Sequence, residues 1–169
     1  LLLGSRTKKR RLLSRQLQRK IATDIAGGMA SVHAKHVLHR DLKPDNILLD
    51  EGMPFVCRIA DFGLARTCSA DTFGTQARQK TGDIGTLAFM APELLFAEES
   101  HYSGAVDVYA FGMILFMVMA QTRPYAEQTC NLYALLSKIK QGLRPKLDPG
   151  RGSPVLRDMM QRCWASDPS

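Results

Sequence analysis

Apolar residues recur at Leu17, Ile21, Ile25, Met29 and Val32 through LSRQLQRKIATDIAGGMASVHA, a spacing of three to four that predicts an amphipathic helix from Ser14 to about Ala34. Gly27 and Gly28 fall inside it and cost roughly 1 kcal/mol each relative to alanine, so tight packing against a neighbour is expected there. The pattern then changes. Short apolar runs at Val37-Leu38, Ile47-Leu48-Leu49 and Phe55 to Ile59, separated by the turn-rich DLKPD and DEGMP, predict small strands. Residues 64–90, rich in Thr, Ser, Gly and Gln without a sustained period, predict a long loop of the functional or mobile kind. Helical spacing returns from Ser103 to about Ala120, from about Gln128 to Gln141 and from Val155 to Trp164, with breaks at Pro124, Pro145 and Pro149. The sequence carries no internal repeat, low-complexity tract or second domain.

Composition narrows this picture. A chain of 169 residues with 45% hydrophobic content suits one globular domain with a sizeable core. The longest apolar stretch, VYAFGMILFMVMA at 108–120, has 13 residues against the roughly 20 that span a bilayer, and Asp107 precedes it, so it reads as a buried core helix. The net charge of +7 favours acidic partners without choosing among them. Cys57, Cys68, Cys130 and Cys163 form no C-x-x-C pair and read as free thiols in a reducing compartment. The opening LLLGSRTKKRR puts its apolar residues before its charges, the reverse of a secretory signal, and looks like the middle of a protein. Lys8, Lys9, Arg10 and Arg11 read as a solvated charged turn.

Candidate chemistry lies in HRDLKPDNILLD at 39–50 and ADFGLAR at 60–66. Two acidic residues and an asparagine on adjoining turns supply hard oxygens for magnesium, which takes a few carboxylate or amide oxygens while keeping waters and substrate phosphates. Asp61 and Asn46 are the candidate ligands. Asp41 is left to accept a proton from, or orient, an attacking hydroxyl, and Lys43 is a cation placed for a transferring phosphoryl group.

With HRDLKPDN at 39–46, DFG at 61–63 and APE at 91–93 in this order, the chain resembles a eukaryotic-type protein kinase catalytic domain. The resemblance implies that Asp41 is the catalytic base, that Asn46 and Asp61 hold Mg2+, that Lys43 contacts the γ-phosphate of ATP, and that Leu48 lines the nucleotide site. It also implies that His39 and Phe62 pack in the column that aligns the active state, and that Thr86 bonds Asp41 and Lys43. Asp107 would support the backbone of the catalytic loop. The implied fold is protein-kinase-like α+β, with residues 1–169 forming a mainly α-helical C-terminal lobe and a few short strands around the catalytic loop. The Gly-rich loop, strand lysine and helix glutamate of the family's N-terminal lobe have no counterpart, and the arginine expected opposite Glu93 lies past CWASDPS, in a truncated final helix. The faces of Val37, Leu38 and Ile47 to Leu49 that would meet that lobe and the adenine are expected to be exposed.

Lys43-Pro44-Asp45 and Gly85-Thr86 resemble Ser/Thr rather than Tyr kinases, and IATDIAGGMASVH with CWASDP resembles the tyrosine-kinase-like group. Arg40 directly before Asp41 resembles kinases whose activation loop is ordered by a phosphate paired with that guanidinium. Thr67, Ser69, Thr72, Thr75 and Thr81 are available, Thr81 being nearest the family's usual position. His39 reads as a packed core histidine, and His33, His36 and His101 as surface residues without partners. The implied partners are protein substrates with Ser or Thr acceptors and an upstream activating kinase or autophosphorylation, in the cytoplasm, with no nucleic acid. The competing reading is a non-catalytic, pseudokinase-like interaction module or an inactive truncated kinase. A small-molecule phosphotransferase fits less well, because APE and the long loop before it serve protein substrates.

Overall fold

The computed structural model describes residues 12–50, 52, 55–67, 84–96 and 103–165. Helix α1, Arg15–His33, starts where Ser14 adopts an extended conformation and its hydroxyl accepts from the Leu17 amide at 3.2 Å. Its buried stripe of Ile21, Ile25 and Met29 is the one the periodicity predicts. Only one of its glycines meets a neighbour: a Cβ at Gly28 would lie 2.9 Å from Ile59 Cδ1, whereas one at Gly27 would meet nothing within 4 Å. On the same helix Lys20 Nζ bonds both carboxylate oxygens of Asp24, at 3.0 and 2.8 Å, and Asp24 accepts from the Cys57 amide at 3.0 Å. The last of these bonds latches α1 to the strand that carries Cys57.

Strand β1, Val37–Leu38, pairs antiparallel with β4, Arg66–Thr67, while β2, Ile47–Leu49, pairs antiparallel with β3, Cys57–Ile59. Strand β4 lies inside the stretch expected to be loop. That stretch also contains the single turn α2, Ile84–Leu87, followed by α3, Pro92–Phe96. The expectation of an exposed apolar edge holds for Leu48 at 56% and Leu49 at 37% exposure, and fails for Leu38, which is buried. Strand β1 lies against α1 on one side and is paired along its edge with β4, and Leu38 is 5% exposed there.

The core centres on α4, Ala105–Ala120, whose residues from Gly112 to Met119 are all buried. Two capped helices complete it: α5, Leu132–Lys140, behind Asn131, and α6, Pro154–Cys163, behind Ser153 with a proline in its first turn. Helix α6 packs tightly on α4 at Gly112, where a Cβ would fall 2.7 Å from Cys163 Cβ. Arg144 ties the ends together: its guanidinium lies 5.1 Å over the Tyr109 ring and donates to the carbonyls of Ile139, Leu143 and Trp164. Cys57, Cys130 and Cys163 are free, and burial pushes the thiols of Cys57 and Cys163 up to about 11. Among the described residues no helix is long and apolar enough to cross a membrane.

Candidate active site

The site is built on Asp107, in the first turn of α4 and 2% exposed. A carboxylate buried so deeply needs donors, and among the described residues it has three: His39 N to Oδ2 at 2.8 Å, Arg40 N to Oδ1 at 2.8 Å, and His33 Nε2 to Oδ2 at 2.9 Å. His33 is therefore not the partnerless surface residue expected from sequence. His36 is exposed and His101 lies outside the described residues.

His39 is fully buried. Its Nε2 lies 3.1 Å from the Ala60 carbonyl, and its Nδ1 accepts from the Asp41 amide at 3.3 Å, so the ring hydrogen sits on Nε2. Both ring nitrogens are thus committed to the backbone, and the ring packs on Phe62 at 4.9 Å between centroids. Asp41, 5% exposed, is gripped by Lys43 Nζ at 3.1 and 2.9 Å. Asn46 Nδ2 donates to the Asp41 carbonyl at 2.7 Å and to its carboxylate at 3.2 Å. With the amide nitrogen turned onto Asp41, the oxygen of Asn46 is the end left to accept or to ligate.

The backbone brings Asp61 alongside, since the Ala60 amide donates to the Asn46 carbonyl at 2.9 Å. Asp61 itself has φ 60° and Arg40 has φ 64°, the left-handed region that non-glycine residues seldom occupy. The Asp61 turn is closed by Gly63 N donating to Oδ1 at 3.2 Å. Asp61 is exposed, as is Phe62 at 46%. Arg40, Asp41, Lys43 and Thr86 line one narrow crevice, which places Thr86 beside the pair it was expected to meet. A second cleft is lined by Arg40, Gly63, Arg66 and Met90. Sequence reasoning missed Arg66, although it closes the ADFGLAR segment and thereby carried a positional signal. Glu93 is exposed on α3, and Leu48 points out from β2. Thr81, like Ser69, Thr72 and Thr75, lies outside the described residues; Thr67 stands exposed in β4. Among the described residues no three His, Cys, Asp or Glu side chains converge as a metal site.

The family model for the protein kinase domain matches residues 2–169. The chain belongs to the protein kinase family. The kinase sequence is 35% identical to serine/threonine-protein kinase STY17 of Arabidopsis thaliana, covering 89% of this chain and 24% of that protein. It is 39% identical to the probable serine/threonine-protein kinase DDB_G0267514 of Dictyostelium discoideum, over 92% and 16%. With receptor-interacting serine/threonine-protein kinase 4 of Mus musculus it shares 34% identity over 90% and 20%. This kinase segment thus spans from 16% to 24% of the length of these three relatives. Its relatives support the resemblance to the tyrosine-kinase-like group, and kinases of this family generally use ATP and Mg2+ and act on proteins.

Proposed function

We propose that this chain is the C-terminal lobe of a protein kinase that transfers phosphate from ATP to Ser or Thr of protein substrates. The observation that carries the reading is the hydrogen-bonded cluster of Asp41, Lys43 and Asn46, with Asp61 held next to it through the Ala60 amide. Asp41 accepts and orients the substrate hydroxyl. Its two bonds to Lys43 and one to Asn46 hold the carboxylate in a single direction, so the proton acceptor is placed before substrate arrives. Lys43 sets a positive charge where the transferring phosphoryl group gains negative charge. The oxygens of Asn46 and Asp61 are hard donors on adjoining turns, the small protein share that magnesium needs beside waters and phosphates. When bound, magnesium neutralises charge on the β- and γ-phosphates. Leu48 offers its exposed face to the adenine.

Arg40 and Arg66 line one cleft, which suits a phosphate on a Ser or Thr of the segment that follows Arg66, Thr81 among them, placed by an upstream kinase or by autophosphorylation. The free cysteines fit a reducing compartment such as the cytoplasm.

The test is transfer of labelled phosphate from ATP to a basic protein by the full-length protein. Asp61→Asn should abolish transfer, since a neutral amide loses the charge that holds magnesium on the phosphates. Near-normal turnover in that variant would overturn the assignment. Residues 1–169 alone should show no measurable transfer, because the family's Gly-rich loop and strand lysine orient the phosphates. Turnover within about tenfold of the ordinary roughly 1–100 per second would show that this lobe suffices. Exposed Leu48, Leu49 and Phe62 favour, for this segment alone, a second reading as a binding module. Partner capture by an inactive chain that is lost on Leu48→Asp would support it.

A further inference from the structure

Residues 1–23 hold eight Lys and Arg, between Arg6 and Lys20, and no Asp or Glu. Of the chain's 23 Lys and Arg, 15 are left to face all 16 Asp and Glu of the remainder, so the whole excess of positive charge lies in this one stretch. The catalytic cluster uses none of it. Ser14 stands inside the stretch, with Arg10 and Arg11 four and three residues before it.

Its backbone suits an enzyme groove. Residues 12–14 have no regular secondary structure, Leu12 is 58% exposed, and Ser14 is exposed with φ −60° and ψ 152°, an extended conformation. The Ser14 hydroxyl accepts from the Leu17 amide at 3.2 Å, a single exposed bond at a helix end of the kind that frays. Thr23 makes the contrast. It too is exposed, with Lys20 three residues before it, but it lies in the middle of α1, where helical bonds on both sides hold the backbone and Lys20 is engaged by Asp24.

We propose that Ser14 is a phosphorylation site for a separate serine/threonine kinase whose acidic groove reads Arg11, and that the phosphate locks the start of α1. The guanidinium fork pairs with carboxylates of that groove and sets the hydroxyl three residues on. The Ser14 oxygen attacks the γ-phosphorus of ATP, its proton passes to a carboxylate of the modifying enzyme, the bond from the γ-phosphorus to the bridging oxygen breaks, and ADP leaves. The phosphate brings close to two negative charges and three acceptor oxygens. It lands among cations: the first turn of α1 has no acid, and Arg15 and Arg19 are exposed beside it. The Leu17 amide thereby exchanges a neutral acceptor for an ionised one. In this step the chain is the substrate, so the inference stands apart from the reading of its own active site.

The test uses the full-length protein carrying Asp61→Asn, so that its own site adds no label, with ATP labelled at the γ-phosphate and a purified kinase that phosphorylates peptides with arginine three residues before serine. Mass spectrometry should find the label on Ser14, and Ser14→Ala should remove it. Arg11→Ala should lower kcat/KM for this transfer at least about tenfold, with Arg11→Lys, which keeps the charge without the fork, falling between. In the phosphorylated protein, amide hydrogen exchange across Gln16 and Leu17 should slow roughly tenfold, since a bond to an ionised acceptor is about twice as strong as a neutral one. No phosphate on Ser14 overturns the proposal, as does uptake that is equally fast in Arg11→Ala. Phosphate on Ser14 that leaves exchange at both amides unchanged overturns the lock on α1.

Discussion

Helix α4 serves two regions that obey different rules. From Gly112 to Met119 every residue is buried, and this length packs against apolar side chains of α1 and α6. Five residues before Gly112, Asp107 is just as buried, yet it faces backbone amides and an imidazole. Of the buried polar or charged residues among those described, Gln18, His39, Asp41, Asn46 and Asp107, all but Gln18 stand in the site. The apolar region needs volume filled, and several side chains can fill it. The polar region needs particular atoms at particular distances, because every buried donor or acceptor left alone costs its full desolvation. Stability resides mostly in the first region and chemistry in the second, and one helix makes both rigid together.

The widest separation of the two regions should come from Asp41→Asn. In the full-length protein, turnover should fall by roughly 10²–10⁴-fold, the range for loss of a positioned proton acceptor, with nucleotide affinity and melting temperature little changed. A large loss of ATP affinity instead would remove Asp41 from the role of base. Asp107→Ala should breach the division. It strips the His39 and Arg40 amides of their acceptor, so unfolding in denaturant should lose roughly 3–5 kcal/mol, as for a buried pair broken by removing one partner. A loss below about 1 kcal/mol would mean that water replaces the carboxylate freely.

Met113→Ala tests the apolar side. Met113 is fully buried, and its truncation should cost roughly 2–5 kcal/mol while leaving exchange at the His39 and Arg40 amides unaltered under native conditions. The two glycines of α1 give a finer contrast. Gly27→Ala should raise stability by about 1 kcal/mol, since open space surrounds it, while Gly28→Ala should gain less or lose, since Ile59 must move.

The smallest effect concerns pH. The bond from Lys20 comes first among the causes that hold the Asp24 carboxyl below the usual 3.8, with the Cys57 amide adding to it against the cost of burial. A carboxyl whose folded value is depressed contributes stability that is fully present above its unfolded value and is lost as pH falls through the folded one. Asp24→Asn should therefore be slightly less stable than the parent at neutral pH, with the gap closing below about pH 4. A gap that persists at pH 2 would assign the effect to packing instead.

Much of this architecture is local and was open to reading in the chain. A helix repeats every 3.6 residues wherever it sits, so the stripe of α1 marked a helix whose observed ends fall within one residue of the expected ones. Likewise α5 begins only at Leu132, four residues after the expected start, because the Asn131 side chain accepts from the Ala134 amide and caps the helix there. The motif residues Asp41, Lys43 and Asn46 lie within six positions of one another, and so tight a segment can close on itself through its own turn.

What sequence left undetermined depends on partners far along the chain. Strand β4 exists because Arg66 and Thr67 meet Leu38 and Val37, and a two-residue strand is defined by backbone bonds that carry no side-chain signature. His33 meets Asp107 across 74 positions, and nothing beside either residue announces the other. Arg66 acquires its meaning only when folding sets it in the same cleft as Arg40. Residue types and spacing determined which atoms were available for chemistry. Only tertiary structure decided which of them would be buried, and burial is what turns an ordinary carboxylate such as Asp107 into the fixed point of the site, because in a poorly solvated interior its charge must be met by protein donors.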